Sequence, residues 1–410
     1  MSVSFTRLLV CAGLCLLALP ASAGNSPGQP ASAWGEWLRQ QVSRHPDVRA
    51  AAGRLQAAHA SADDLSQPLY NPELATAYER EGRDNNYQIG LSQTIDLWGK
   101  RDRLSQQAGF SRAAAEQAYR LAVQEKIAAT LAALTRWEAT RALADLATEQ
   151  EQQLDTMIRL LEARERAGDL SQMDAELTWL ALARNLHDTA TAQADARRAE
   201  AALRELLPGM PDGGVIIPDA FWQWRGAPSG ERLDQHPRVA AAHADWQVLR
   251  QAAALSDRSQ RADPTVGISA GRSGEDDVLG VALSIPLNLR NTYKARHRAA
   301  EQAALAAEAD YQAVRRQQRY TAEGVTAALE AYRHRAARWQ TLVGTRIADS
   351  AHLLQQQWRR GDLSTLDYLQ ALQQRADGIR AGIALRQAER ETHTEWLLQT
   401  GQLDDALNAL

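Results

Sequence analysis

The sequence predicts a mostly α fold with a small β part: tandem-duplicated long coiled-coil helices plus two β-hairpins. Three observations carry this. Proline is absent from Glu73 to Glu205 and from Leu287 to Leu410, which leaves room for helices far longer than the globular norm. Four short motifs return in the same order roughly 190 residues later, the signature of an internal repeat. At two equivalent places the hydrophobic period switches from helical to strictly alternating.

The repeat is read from paired segments. His45-Pro46-Asp47-Val48 matches His236-Pro237-Arg238-Val239, and Asn71-Pro72-Glu73-Leu74 matches Asp263-Pro264-Thr265-Val266. Leu91-Ser92 with Ile95-Asp96-Leu97 matches Leu283-Ser284 with Leu287-Asn288-Leu289, and Gly168-Asp169-Leu170-Ser171 returns unchanged as Gly361-Asp362-Leu363-Ser364. The expected organisation is a targeting segment over 1–23, a first repeat over 24–209, a connector over 210–228, a second repeat over 229–403 and a tail over 404–410.

The first segment joins Arg7 to an apolar run, Leu8 to Leu19, then Pro20 and the small-residue site Ala21-Ser22-Ala23. That is a signal-peptide pattern, too short for a comfortable membrane span. Cys11 and Cys15 are the only cysteines, so the exported chain has no disulfide framework or cysteine metal cage. Neither follows the small residue that lipidation requires. A net charge of −4 gives no basic field, so nucleic acid is not an expected partner.

Each repeat opens with a short helix at its His-Pro pair, since proline suits the first helical turn. These helices run from Asp47 to about Ser66 and from Arg238 to about Ser256. The chain before the first, Gly24 to Ser32, reads as a flexible lead-in. Hairpins follow over 72–97 and 264–289, with polar connectors at Glu81 to Asn86 and Ser273 to Asp277. In the second strand of each hairpin large apolar residues alternate with small or polar ones, as in Leu279, Val281, Leu283 and Ile285 against Gly280, Ala282 and Ser284.

Long helices follow over 100–167 and 292–360, each ~100 Å at 1.5 Å per residue. Leu143, Leu146, Leu154, Met157 and Leu161 keep coiled-coil spacing. The two Gly-Asp-Leu-Ser tips, 168–171 and 361–364, reverse the chain, and return helices run over 172–207 and 365–400. Pro208 to Ser229, with Trp222 and Trp224, reads as an irregular connector.

Strands of about ten residues match a tilted membrane-spanning strand. Four cannot close a barrel, because the smallest closed examples need about eight. If these strands face lipid, several copies must share one barrel, with large apolar residues toward lipid and small ones toward a wet lumen.

The duplicated order of helix, hairpin, long helix, Gly-Asp-Leu-Ser tip and return helix resembles the TolC-type outer membrane factors. So do the His-Pro openings and the stretch from Leu91 to Arg101 with its counterpart Leu283 to Leu287. The short tips and compact C-terminus are most similar to the heavy-metal efflux branch, the CzcC/CusC-like proteins. The resemblance covers about Trp37 to Gly401. It implies a homotrimer in the cell outer membrane, with a shared twelve-stranded barrel on an α-helical periplasmic tunnel. It also implies a periplasmic membrane-fusion adaptor and an inner-membrane RND-type pump as partners. The function implied is passive export, with heavy-metal cations the expected substrate and drugs or organic solutes the alternative. A periplasmic coiled-coil scaffold is the competing reading from another class, but it leaves the two hairpins unexplained.

The resemblance also assigns roles to residues. Beside them stand the lipid-facing positions read from the alternation, Ile89, Leu91, Leu279, Val281, Leu283 and Ile285. Adaptor-docking tips are Arg166, Gly168, Asp169, Leu170 and Ser171, and Arg360, Gly361, Asp362, Leu363 and Ser364. Asp367, and Asp174 through the repeat, mark a periplasmic gate, where a ring of aspartates would attract cations; the alternative is that both carboxylates only stabilise a helix N-terminus.

Other signals point nowhere catalytic. Gly267-Ile268-Ser269-Ala270-Gly271 has the nucleophile-elbow spacing, but it lies inside a strand and not at a strand-to-helix turn. The histidines lack the one-turn spacing of a metal pair. No cofactor, resident metal or enzymatic activity is expected.

Overall fold

The computed structural model describes residues 31–166, 172–211 and 213–410; the signal segment lies outside them. Ten α-helices and four strands follow in the order α1 (Ala31–Ser43), α2 (Pro46–Leu65), β1 (Glu73–Glu81), β2 (Asp84–Thr94), α3 (Lys100–Arg166), α4 (Gln172–Leu206), α5 (Gly230–Asp234), α6 (Pro237–Arg258), β3 (Thr265–Ser273), β4 (Asp276–Ser284), α7 (Lys294–Trp339), α8 (Thr345–Arg360), α9 (Thr365–Gln399) and α10 (Leu403–Asn408). The sheet stands at one end of the long helices and the turn from α8 to α9 at the other.

His45 and His236 each stand just before a helix whose first residue is proline. Proline has no N–H to leave orphaned there. In both copies the ring Nδ1 accepts the backbone N–H two residues on, at 3.2 Å. α3 is continuous over 67 residues, ~100 Å. α2 and α4 pack end to end along it, while α6 and α9 line its other side and join it to α7. Repeat one is thereby fastened to repeat two along the whole rod.

The core is a belt where the half-length helices meet. It holds Trp34, Leu38 and Val42 of α1, Leu131 and Leu134 of α3, Leu203 and Leu207, Phe221, Trp396 and Leu397 of α9, and Leu407 of α10. Leu146, Leu154, Met157 and Leu161 continue it as a buried seam toward the tips, with Leu143 half-buried.

Several elements depart from the sequence reading. The lead-in is already helical at Ala31, because Trp34, Leu38 and Val42 form an apolar face for the belt. The connector carries one tight helical turn, Asp219–Trp222, and puts Phe221 fully into the core, with Trp224 stacked on Trp396 at 4.7 Å. The tail folds as α10 because Leu403, Ala406 and Leu407 share a buried face. The second long helix is broken by a π turn, Gln340–Gly344, directly after Trp339. Trp339 lies over Gly382 of α9, where any Cβ would come within 2.2 Å of the indole.

The hairpins also differ. Their loops are two residues each, Gly82-Arg83 and Gly274-Glu275, with Glu81 paired to Asp84 and Ser273 to Asp276. Both glycines have positive φ, 61° and 62°, which lets a tight loop replace the longer connectors expected. At the other end β2 stops at Thr94 and β4 at Ser284. Ile285 therefore falls outside the strand, because Pro286 cannot donate a ladder bond.

Candidate functional site

The four strands form one antiparallel sheet in the order β1-β2-β3-β4. Among the described residues β1 and β4 each leave one edge unpaired. The register puts Leu74 beside Leu91, Leu91 beside Ile268 and Ile268 beside Val281. Since side chains alternate across a sheet, one face carries Leu74, Tyr78, Tyr87, Ile89, Leu91, Val266, Ile268, Leu279, Val281 and Leu283. This face is open, with Leu279 87% and Val281 84% exposed in the single chain.

The opposite face carries Ala75, Ala77, Gly90, Ser92, Gly267, Ser269, Gly271, Gly280, Ala282 and Ser284. Ser269 lies here, accepting a hydrogen bond from Gln88 Nε2 at 2.7 Å. Its place inside β3 gives it no elbow geometry. The same face holds Glu73, Glu79, Glu81, Asp84 and Asp276 and no Lys or Arg, while Arg80 and Arg272 fall on the apolar side.

Where sheet becomes helix, the two repeats are stitched together. Asp96 accepts the N–H groups of Trp98, Lys100 and Arg101 and so caps α3. Lys100 Nζ reaches Asp263 Oδ2 and the Arg261 carbonyl, both at 2.8 Å. The Tyr70 hydroxyl donates to the same carboxylate oxygen at 2.6 Å. Burial, with that bond to Asp263, pushes the Tyr70 phenol up to about 12. Trp98 donates its indole N–H to the Ala262 carbonyl at 2.9 Å and carries Arg261 over its ring at 4.9 Å. The sequence reading missed this junction, because residues 70, 100 and 263 are adjacent only in space.

At the far end, Gly168, Asp169, Leu170 and Ser171 lie outside the described residues. Arg166 is the last residue of α3 and turns its Nε onto the Glu162 carbonyl. Asp174 stands in the first turn of α4. The second tip is described in full. Gly361 has φ 82°, with Gly361 N–H bonded to Trp358 O and Asp362 N–H to Gln357 O, a Schellman ending of α8.

Leu363 is half-buried against a small core of Met157, Leu161, Trp358 and Tyr368, whereas Leu366 is exposed. The expected apolar knob thus turns partly inward, because the stacked Trp358–Tyr368 pair offers it an apolar seat. Arg360 ends α8 and is exposed. Asp367 is in the first turn of α9, where Ser364 caps the helix: the Asp367 N–H donates to Ser364 Oγ, and that hydroxyl donates to Asp367 Oδ2 at 2.7 Å. Among the described residues no cluster of three His, Cys, Asp or Glu side chains could hold a metal.

A two-faced sheet with open edges on a duplicated rod is the arrangement of a membrane conduit, and the sequence has its relatives there. Residues 37–209 match the family described as Outer membrane efflux protein. That match covers the first repeat, less than half of the chain. Solved structures extend a likeness of fold over most of the chain. CusC, a transmembrane channel, is similar at 15% identity and TM-score 0.74, over 89% of this chain and 91% of that one. A membrane protein from Pseudomonas aeruginosa is 15% identical at TM-score 0.76, over 94% and 100%. The open-state MtrE channel of Neisseria gonorrhoeae is 16% identical at TM-score 0.72, over 91% and 89%. At these identities the likeness is one of fold. No curated protein matches the sequence.

Proposed function

We propose that three copies of this chain form the outer membrane conduit of a tripartite efflux system, and that its substrate is a heavy-metal cation. The observation that carries the conduit is the sheet itself. It has one exposed apolar face, one face of small and polar residues, and an open edge on β1 and on β4. Joining β4 of one copy to β1 of the next would bury both edges, as a membrane demands. Three copies would give twelve strands, above the minimum of about eight. Ile89, Leu91, Leu279, Val281 and Leu283 would then face lipid. The rods would extend through the periplasm, with the Gly-Asp-Leu-Ser tips presented to an adaptor and, through it, to an inner-membrane pump.

The cation reading is supported by the small-residue face, whose charges are all carboxylates. In a shared barrel these would line the exit and favour cations by field alone.

The test is reconstitution. The purified chain should require detergent, run as a heat-sensitive trimer, and give pores in planar bilayers with cation over anion selectivity. A soluble, monomeric product would defeat the channel. A pore that prefers anions would defeat the metal substrate while leaving the channel intact.

A further inference from the structure

The rim where the second hairpin meets α7 differs from its partner rim in a way that calls for an anion. We infer that the segment from Leu287 to Arg298 binds an anionic phospholipid of the periplasmic leaflet, an inference that rests on the membrane placement of the sheet. Beyond β4 the chain keeps large apolar side chains in the open. Leu287 and Leu289 are 76% and 81% exposed, a few residues past the end of β4. Directly after them come Arg290, Lys294, Arg296 and Arg298, all exposed. Among the described residues none of the four pairs with a carboxylate. Arg296 instead lies over the Tyr293 ring at 5.3 Å.

An apolar strip, then an aromatic ring, then unpaired cations is the sequence of environments met on leaving hydrocarbon for a headgroup layer. The acids nearby are already engaged: Asp257 and Glu301 both face His297, at 4.0 and 3.3 Å. The end of the sheet with the hairpin loops is of opposite character. It holds Glu79, Glu81, Asp84, Glu275, Asp276 and Asp277 against Arg80, Arg83 and Arg272. Acids outnumber cations at the loop end, whereas unpaired cations gather at the rim beside α7.

Comparison of the two repeats explains why the anion would sit at the second rim. In repeat one Asp96 supplies a carboxylate to the start of α3. In repeat two Asn288 holds that position, and its amide donates to the Gln260 carbonyl at 2.8 Å. α7 then starts from Tyr293 with no side-chain cap and no acid in its first turn. The negative charge that repeat one carries within the chain is missing from repeat two, and a lipid phosphate at the end of the apolar strip would supply it.

Native mass spectrometry of the trimer in detergent with equimolar phosphatidylglycerol and phosphatidylcholine reads this directly. The wild-type protein should retain phosphatidylglycerol preferentially. Arg290→Gln/Lys294→Gln/Arg296→Gln should weaken that retention on the order of a hundredfold, about fivefold per cation. Equal retention of the two lipids, or an unchanged preference in the triple variant, would overturn the inference. So would displacement of the lipid by inorganic phosphate, which would mean a free-anion site without acyl contacts. Loss of the trimer by the variant in lipid-free detergent would also overturn it, by assigning the cations to the seam between copies. Failure of the wild-type chain to enter phosphatidylcholine vesicles is a separate outcome, and it alone would count against the membrane placement.

Discussion

Lys100 and Asp263 make a buried ion pair that joins the start of α3 in one repeat to the start of β3 in the other, with side chains only 9% and 2% exposed. The repeat puts Thr292 and Asn71 at the equivalent positions. The pair therefore exists once per chain, at the junction that lies within a protomer. Asp263→Ala would leave the Lys100 ammonium buried with only the Arg261 carbonyl, at a cost of ~3–5 kcal/mol. Lys100→Thr/Asp263→Asn, which writes the other junction's residues into this one, should cost less than the sum of the single changes. Denaturant titration of the four proteins in detergent checks the coupling, and strict additivity would mean that the two groups do not act as a pair.

The sheet gives a prediction that distinguishes its faces. Val281 and Ala282 are neighbours in β4 and point to opposite sides. Val281→Arg places a charge on the apolar face near the middle of the strand and should destabilise the folded membrane form by ~2–4 kcal/mol. Ala282→Arg should cost much less, because its side chain meets water. Folding titrations in lipid vesicles measure both, and equal penalties would mean that the sheet does not separate lipid from lumen.

How much of this was legible in the sequence depends on whether the signal is local. Helix starts at His45 and His236, the alternation around Val281 and the turn at Gly361 each sit in one short window, and a period or a backbone requirement reveals them. The belt was not legible, because Phe221, Trp224 and Trp396 are brought together from a connector and a distant helix. α10 was missed because six residues of amphipathic pattern carry little weight until a core exists to receive them. Ser364 was legible as a helix cap, but the direction in which Asp367 turns was not. An aspartate in a first helical turn looks the same in sequence whether it faces a pore axis or its own cap.

His393 should make stability depend on pH. Burial, with Arg333 and Arg225 adding to it, holds its imidazole down to about 4, against 6.5 for the free side chain. The unfolded chain therefore binds the proton more readily than the folded one. The stabilisation is complete above about pH 6.5 and is lost as the pH falls toward 4, an effect of about 3 kcal/mol. His236, also depressed by burial, contributes with the same sign. His393→Phe should flatten much of the acid limb of a thermal-melting profile between pH 7 and 4. A variant as acid-sensitive as the parent would place the effect elsewhere.

Gly361 adopts a left-handed backbone at φ 82°, with open space where a Cβ would sit. Gly361→Ala meets no clash, so its cost is conformational alone, about 1–2 kcal/mol. The loss should be confined to the tip, which amide hydrogen exchange resolves. Faster exchange at Asp362, whose N–H closes the α8 turn on Gln357, with the belt unchanged, is the expected result. Uniform loss of protection along α7 and α9 would instead mean that the tip holds the rods together.

Asp367 separates a structural role from a functional one at a single carboxylate. Its bond to the Ser364 hydroxyl and its place in the first turn of α9 give it a helix-stabilising role worth ~0.3–1 kcal/mol through the dipole alone. The proposed gate asks more, namely that three copies converge near an axis and bind cations. Asp367 is exposed in the single chain, so the capping bond leaves an oxygen free for that second role. Asp367→Asn keeps an oxygen that Ser364 can donate to but removes the charge, whereas Asp367→Ala removes both. In planar bilayers, with and without divalent cations, a gate ring predicts that Asn and Ala relieve divalent block equally and lower cation selectivity together. A cap alone predicts that neither changes the pore and that Ala costs more tip stability than Asn. Equal block in all three proteins would remove Asp367 from the conduction path and leave it as a cap.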